Sequence, residues 1–526
     1  MNPPKNFAMS PFHPILTCAE TRALENRLLG DDPEQSWEAM RRAGAGVGAA
    51  VLRDFPTWRP LPRDPRVLVL AGPGHNGGDA LLAAALLLRA RPRGKITVAL
   101  LEAAEKSKPL TRRALDELLA LGAATPLSAA ELPARLRAGE SWDITLDGLY
   151  GMSFRPPLRE PARGLITALN AATGLGFRAA VDVPSGIGDE PADLAFRADF
   201  TYATGVVKAP LFAAGNAPWV GRVREVDIGF FAEAYDGPRA HPEDFLRPAV
   251  LAPLQGLRPS VGDKRTYGHL LVVSGSRAYP GAQMLNVLGA LRAGTGLVTA
   301  LVPAGHAGAF AAARPEAMWR ACAEEADGGH GGATLAAARE LWPRATAVLA
   351  GSGLGRTGHA QAMLQALVAE CPLPLVLDAD ALFPATLAAL AHRPAGAGPV
   401  VLTPHAGEFA RLAGARADLG KFCRDHGVVT ILKGPVTRVA DGKRVWCGTF
   451  GGPVLARGGS GDVLAGIAGG LLAQTPADAF GAAARAAAWH GLAADELARA
   501  RGETAALTAE LASFMPEALR DEIVRD

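Results

Sequence analysis

RVLVLAGPGHNGGDALLAAALLLRA, residues 66–90, is the stretch on which the fold class turns. Its first six residues are apolar and rich in Val and Leu, too short for a core helix, and predict a buried strand over 66–71. Gly72-Pro73-Gly74-His75-Asn76-Gly77 then fits GxGxxG, in a glycine loop placed over 72–78, and an apolar helix is expected over 79–90. A glycine turn between a strand and a helix opens a βα unit. Its free amides carry partial positive charge and can hold a pyrophosphate.

The pattern repeats outward from this unit. Strands are expected at 96–101, 143–147, 178–183, 199–204 and 222–228, with a helix near 111–121. Upstream, residues 18–53 read as two helices, the second capped by Ser36 with Ala39, Ala43 and Val47 on one face. Proline-rich, aperiodic sequence over 235–262 marks a boundary near 240. The pattern then restarts, with strands at 268–274, 297–302, 345–350, 374–378, 399–402 and 428–432 and helices at 281–293, 461–473 and 478–499. Buried strands alternating with helices predict an α/β protein of two domains, 1–238 and 239–526, each a mostly parallel sheet covered by helices.

Composition narrows the function classes. Fifty-four basic and 52 acidic residues leave a formal net charge of +2, so nothing electrostatic favours nucleic acid or an anionic membrane as partner. The five cysteines (Cys18, Cys322, Cys371, Cys423, Cys447) are scattered and form no CxxC pair. That excludes a disulfide framework or structural zinc and suits a reducing cytoplasm. The start, MNPPKNFAMSPFHP, lacks a signal-peptide pattern, and apolar runs such as 80–88 are far shorter than the roughly 20 residues of a membrane span.

In the first half, Asp147 and Asp182 end strands, Ser185 follows in the turn, and Asp79 follows the glycine loop. Carboxylates at C-terminal strand ends lie where open α/β sheets bind ligands. Asn76, Asp147 and Ser185 offer only oxygen, which suits a hard cation. Glu102, after the second strand, keeps a nicotinamide-dependent dehydrogenase open as a reading of the same loop.

In the second half GGSGD (458–462) directs consecutive amides at an anion, with Asp462 placed to take a proton from an attacking hydroxyl. KRTYGHLLVVSGSRAYPGA (264–282), LAGSGLGRTG (349–358), VLDADAL (376–382), LTPHAGEFARL (402–412) and ILKGPVTRVAD (431–441) accompany it in that order. On the residues alone, a small-molecule kinase fused to a dinucleotide-binding or non-catalytic module is the rival reading.

GPGHNGGDA (72–80), AMRRAG (39–44), LDGLYG (146–151) and DVPSG (182–186) resemble the NAD(P)H-hydrate epimerase domain, a Rossmann-like fold. This chain departs from the family pattern at His75, Ala80, Met152-Ser153 and Arg41. The resemblance implies substrate contacts from His75, Asn76, Gly77, Gly78 and Asp79, and from Gly151, Met152, Ser153, Phe154, Arg155, Pro156 and Pro157. It also implies potassium on Asn76, Asp147 and Ser185, with Asp182 at the substrate as acid/base. Inversion at the hydroxyl-bearing carbon needs proton transfers, by ring opening or by loss and return of water.

TPHAGEF, GSGLG and GGSGD resemble the ADP/ATP-dependent NAD(P)H-hydrate dehydratase branch of the ribokinase-like superfamily, over nearly all of 250–526. Ala406 and Arg457 are departures from that pattern. This resemblance implies hydrate contacts from Ala282, Gly355, His405 and Asp462, and nucleotide contacts from Lys433, Gly434, Pro435, Val436, Thr437 and Gly461. Asp462 would deprotonate the ring hydroxyl, which magnesium-bound ADP would phosphorylate before phosphate leaves. The expected partners are NADH and NADPH hydrates and ADP, no nucleic acid, no membrane, and further copies of the chain in a homo-oligomer.

Overall fold

The computed structural model describes residues 10–122, 124–233 and 235–521. The reading of the chain start as lacking a leader falls largely on residues 1–9, outside them. The chain divides into two compact units, one of His13–Pro242 with Arg499–Gly502, the other of Ser10–Phe12, Glu243–Ala498 and Glu503 onward.

The strands, in chain order, begin with β1 (Phe12–Pro14). β2 (Arg66–Ala71), β3 (Lys95–Leu100), β4 (Ala124–Ser128), β5 (Ile144–Gly148), β6 (Phe177–Val181), β7 (Phe200–Thr204) and β8 (Arg222–Val226) follow. Among the described residues β2–β8 form one sheet in the order β4-β3-β2-β5-β6-β7-β8, parallel throughout. The chain starts at β2, winds one way to β4, then returns to β5 on the other side. The crevice at the carboxyl ends of β2 and β5 is therefore the switch point where such sheets bind ligands.

Three helices flank that crevice: α1 (Cys18–Leu29), α2 (Pro33–Asp54) and α3 (His75–Ala90). Two local expectations are corrected. The cap of α2 is Asp32, whose carboxylate accepts the amides of Glu34 and Gln35, with Pro33 at the first helical position; Ser36 lies inside the helix. A carboxylate one residue before a proline is the stronger start signal. Likewise α3 begins at His75, so the glycine turn is short and Asn76, Gly77 and Gly78 form the first helical turn.

Glycine at 72 is a steric necessity, because a Cβ there would lie 1.9 Å from the Leu149 carbonyl oxygen. We expect Gly72→Ala to cost about 3 kcal/mol of the first unit's stability, an overpacking penalty against rigid backbone. Urea denaturation checks it, and an unchanged midpoint would contradict the close approach.

The second unit adds β9 (Asp244–Leu246), β10 (His269–Val273), β11 (Leu297–Pro303), β12 (Met318–Cys322), β13 (Ala347–Ala350) and β14 (Leu375–Leu377). β15 (Val400–Leu402), β16 (Val429–Leu432), β17 (Thr437–Ala440) and β18 (Val445–Gly448) complete it. The sheet order is β1-β9-β18-β17-β16-β15-β14-β13-β10-β11-β12 among the described residues. Pairing is parallel from β12 to β16 and antiparallel through the β16–β17–β18 meander. β17, β18 and β12 are not among the expected strands. β12 is mostly exposed at the sheet edge, with only Cys322 buried, and β17 and β18 are four residues each, too short to show a period.

Its helices include α4 (Pro280–Arg292), α5 (Ala406–Ala413), α6 (Ser460–Gln474) and α7 (Ala479–Arg501). α6 is almost wholly buried, and its small residues let α4 close in: a Cβ on Gly466 would meet the Asn286 carbonyl oxygen at 2.1 Å. The switch point of this sheet lies between β10 and β13, where α6 also begins.

Candidate active sites

In the first unit the turn after β2, the end of β5 and the turn after β6 converge. Ser185 Oγ donates to Asp147 Oδ1 (2.6 Å), and the Ser185 amide donates to Asp147 Oδ2 (2.8 Å). The Tyr150 amide donates to Ser185 Oγ (2.9 Å), and Asn76 Nδ2 donates to the Tyr150 carbonyl (2.9 Å). Asn76, Asp147 and Ser185 thus meet around the Tyr150 backbone. Asn76 Oδ1 is buried and has no hydrogen-bond partner among the described residues. Burial pushes the Asp147 carboxyl up to about 6, the bonds from Ser185 opposing it.

Beside this lies a charged cluster. Asp182 has a left-handed backbone (φ 68°), unusual for a residue with a Cβ and characteristic of functional turns. Its Oδ2 accepts the Met152 amide (3.2 Å), which ties the 151–157 loop to it. Its Oδ1 accepts the Thr204 hydroxyl (3.2 Å) and the Lys208 ammonium. Lys208 is fully buried and also donates to the Thr204 carbonyl (2.8 Å). Asp79 and Glu25 complete the group. Burial, then Asp182, raises Asp79 well above the ordinary carboxylate range; burial, opposed by Lys208, pushes Glu25 up to about 7.

Three carboxylates around one ammonium cannot all stay ionised in a buried site. The cluster sets Asp182, bonded to the Lys208 ammonium, beside Asp79, whose carboxyl is raised by burial. Lys208, Thr204 and Glu25 were missed. Lys208 sits in the apolar stretch TGVVKAP (204–210), and a lone lysine in such a run is the signal that can find it. His75 stands at the helix start, where partial desolvation and then the nearby charge of Lys108 lower its imidazole. Ser153, Arg155 and Pro157 are exposed on the loop whose Pro156 and Phe154 are half-buried.

In the second unit an open cleft of about 780 Å³ is lined by Ala278–Ala282, Leu285, Gly353, Gly355, Arg356, Asp380, Gly458, Gly459 and Asp462. Ligand pockets run to roughly 300–1,000 Å³, so it has room for a nucleotide-sized molecule. Gly459 (φ 87°) caps α6, and a side chain there would strike Leu285 at 2.4 Å. The loop is held from outside by Thr508, whose hydroxyl donates to the Gly458 carbonyl (2.9 Å), and by Arg457, which donates to the Glu503 and Thr504 carbonyls (2.6 Å each).

Asp462 stands in the first turn of α6. Burial, then the charge of Asp378, pushes its carboxyl up to about 6. Lys433 reaches the same place: its Nζ lies 3.0 Å from Asp378 Oδ1 and would be 3.1 Å from a Cβ on Gly461. Burial alone would lower the Lys433 ammonium, but Asp378 and Glu408 outweigh it and raise it. His405 pairs with Lys433 through backbone, so the histidine, the lysine and the GGSGD loop form one neighbourhood. Its Nδ1 is committed to capping α5, accepting the Gly407 amide (3.0 Å), and its Nε2 lies 3.5 Å from Glu408 Oε1 on a largely exposed ring. The Gly355 amide donates to Asp380 Oδ2 (3.0 Å) at the cleft wall. Gly434–Thr437 form the turn into β17. Asp378, Ser352 and Asn286, which knit these parts together, were not singled out from sequence.

A doubly wound unit with an acid–base cluster at its switch point, and a ribokinase-like unit whose anion turn carries a carboxylate, define a two-site nucleotide-metabolising enzyme. The NAD(P)H-hydrate dehydratase family model matches residues 270–517, and the YjeF-related protein N-terminus model matches residues 37–209. A bifunctional NAD(P)H-hydrate repair enzyme of Gloeobacter violaceus is 37% identical over 87% of this chain and 89% of its own length. One of Moorella thermoacetica is 32% identical over 96% of this chain and 97% of its own. The solved ADP/ATP-dependent NAD(P)H-hydrate dehydratase of Bacillus subtilis, co-crystallised with ATP and magnesium, is 27% identical (TM-score 0.44), covering 52% of this chain and 96% of that one.

The chain belongs to the family of bifunctional NAD(P)H-hydrate repair enzymes, with an epimerase in its N-terminal half and a dehydratase in its C-terminal half. Membership selects the epimerase over the dehydrogenase reading of the first glycine loop, and the dehydratase over the plain kinase reading of the second. No helix among the described residues is long and apolar enough to cross a membrane.

Proposed function

We propose that the domain running to about residue 238 interconverts the two epimers of NADH and NADPH hydrate at Asp182 and Asp79. The domain from about 239 dehydrates the S epimer at the expense of ADP, giving AMP and phosphate. The observation that carries this reading is the placement of Asp462 on the anion turn, facing a cleft that also holds Ala282 and Gly355.

In the dehydratase, Asp462 takes the proton of the hydrate's ring hydroxyl, and the freed oxygen attacks the terminal phosphorus of ADP, releasing AMP. Phosphate is a far better leaving group than hydroxide. It departs as the ring nitrogen's lone pair pushes in, and loss of a proton from the neighbouring ring carbon restores the dihydropyridine. Gly461 and the 433–437 turn hold the nucleotide, Lys433 setting positive charge beside its phosphates, and His405 presents Nε2 to the hydrate. Magnesium arrives as part of the nucleotide substrate. The test is recovery of reduced-nicotinamide absorbance from mixed epimers with ADP and magnesium. Stable phosphorylated hydrate without recovery would instead favour a kinase.

In the epimerase, the amides and side chains of 75–79 and the 151–157 loop hold the substrate, while Asp182 and Asp79 exchange protons on either side of the carbon being inverted. Potassium fits Asn76, Asp147 and Ser185: all are oxygen donors, and the orphaned Asn76 Oδ1 is a buried acceptor in need of a partner. Bound there, it would supply a fixed positive charge beside the substrate. Ligand linkage predicts that potassium at ten times its Kd adds about 1.4 kcal/mol to the stability of the first unit. Calorimetry in potassium chloride against tetramethylammonium chloride reads this, and Asn76→Leu should remove the difference. Equal stabilisation of that variant would remove Asn76 from the site.

The five cysteines are buried free thiols, which supports a reducing, cytoplasmic setting. A homo-oligomer belongs to the same reading, and sedimentation equilibrium tests it.

A further inference from the structure

Four consecutive strand ends of the second sheet are tied by one carboxylate that does not line the cleft. Asp378, just past β14, is 1% exposed. Its Oδ2 accepts the hydroxyl of Ser352, past β13, at 2.8 Å. Its Oδ1 accepts the hydroxyl of Thr403, past β15, at 2.6 Å and the ammonium of Lys433, past β16, at 3.0 Å. On the far side Asn286 of α4 donates from one Nδ2 to Ser352 Oγ (3.2 Å) and to the Asp462 carbonyl (2.8 Å). Ser352 is fully buried; its one hydroxyl proton goes to Asp378, and Asn286 links it to the Asp462 backbone.

We propose that Asp378 is the positioning residue of the dehydratase site: through Ser352 and Asn286 it holds the start of α6, and with it Asp462, at the cleft as a competent base, and it fixes the Lys433 ammonium in place beside it. The inference rests on Asp462 being that base. Its physical ground is that a buried carboxylate with three donors is immobile, and it sets the field for whatever ionises beside it.

The groups facing Asp462 act in opposite senses. Asp378 and Asp380 repel its charge and make it a stronger base, while Lys433 and the Ser352 hydroxyl favour the ionised form. Glu408 faces Lys433 from α5, and His490 of α7, held neutral by burial, contacts the Ser460 carbonyl at 3.0 Å. Removing the charge of Asp378 also releases Lys433 towards Asp462, so both consequences weaken the base. Removing the Ser352 hydroxyl does the reverse.

The test is the pH profile of kcat/KM for dehydration by the full chain with ADP and magnesium. The acid limb of the unsubstituted protein is expected near 6, as the Asp462 environment dictates. Asp378→Asn should move it down towards the ordinary aspartate value of about 4, with kcat at pH 7 reduced about 10- to 100-fold. Ser352→Ala should move the limb upward, and Asp378→Glu should return it towards that of the unsubstituted protein. Shifts of opposite sign are something a purely structural role does not produce. Loss of activity in both variants with the limb unmoved would overturn the proposal, as would an Asp378→Asn variant of normal kcat. If Asp378→Asn does not fold, Ser352→Ala and Asp378→Glu still decide the sign. The underlying reading fails separately, through full turnover by Asp462→Asn.

Discussion

Asp462→Asn should bind nucleotide with unchanged affinity and yet lose dehydration by about 10³- to 10⁴-fold, the range for removal of a general base. The asymmetry follows from position. In the proposed reading the nucleotide would be held by amides of the glycine turn and by the 433–437 turn, none of which uses the Asp462 carboxylate as a ligand. The helix stays capped because Gly459, not Asp462, occupies the capping position. What is lost is a proton acceptor already pushed up to about 6 by burial and by Asp378, close enough to neutrality to be both ionised and basic. A loss of 10³-fold corresponds to about 4 kcal/mol of barrier. Calorimetric titration with ADP, paired with absorbance recovery, separates the two effects. Normal turnover would remove the carboxylate from the chemistry, and weakened nucleotide binding would place it in the anion site instead.

Asp182→Asn should remove epimer exchange by about 10²- to 10⁴-fold while leaving dehydration of the S epimer intact. With mixed epimers the progress curve becomes one fast phase of normal rate, then a plateau where the R form accumulates. Two losses combine. The amide cannot take a proton, and the buried Lys208 ammonium loses its hydrogen-bonded carboxylate, with Asp79 and Glu25 left as its acidic neighbours. Asp182→Asn with Lys208→Met, which removes both partners, should therefore be more stable than the single variant yet equally inactive. A single variant that still exchanges epimers would hand the acid–base work to Asp79 and Glu25.

Much of this was legible in the chain because it is carried by local, repeated signals. The strand-turn-helix of 66–90 and the GGSGD turn are short-range devices, and glycine is demanded there by contacts with near neighbours such as Leu149 and Leu285. The order of motifs along each half points to the loops at the carboxyl ends of the strands for the same reason, since parallel strands put every such loop at one edge. The short strands β17 and β18, the edge strand β12 and the start of α3 at His75 were not legible: periodicity says little about four-residue strands, and a glycine turn does not show which residue first becomes helical.

The amino-acid order by itself determined the α/β class, two units, the parallel winding and the loops that carry chemistry, because hydrophobic period and turn residues act within a few positions of themselves. Only the tertiary structure decided that Lys208 bonds to Asp182, that Asn76 keeps an unpartnered oxygen, and that Asp378 is tied to Ser352, which Asn286 links to the Asp462 backbone. Those relations join residues 26 or more positions apart, across strand and helix ends. Burial gives them their strength, and burial exists only once the sheets are assembled.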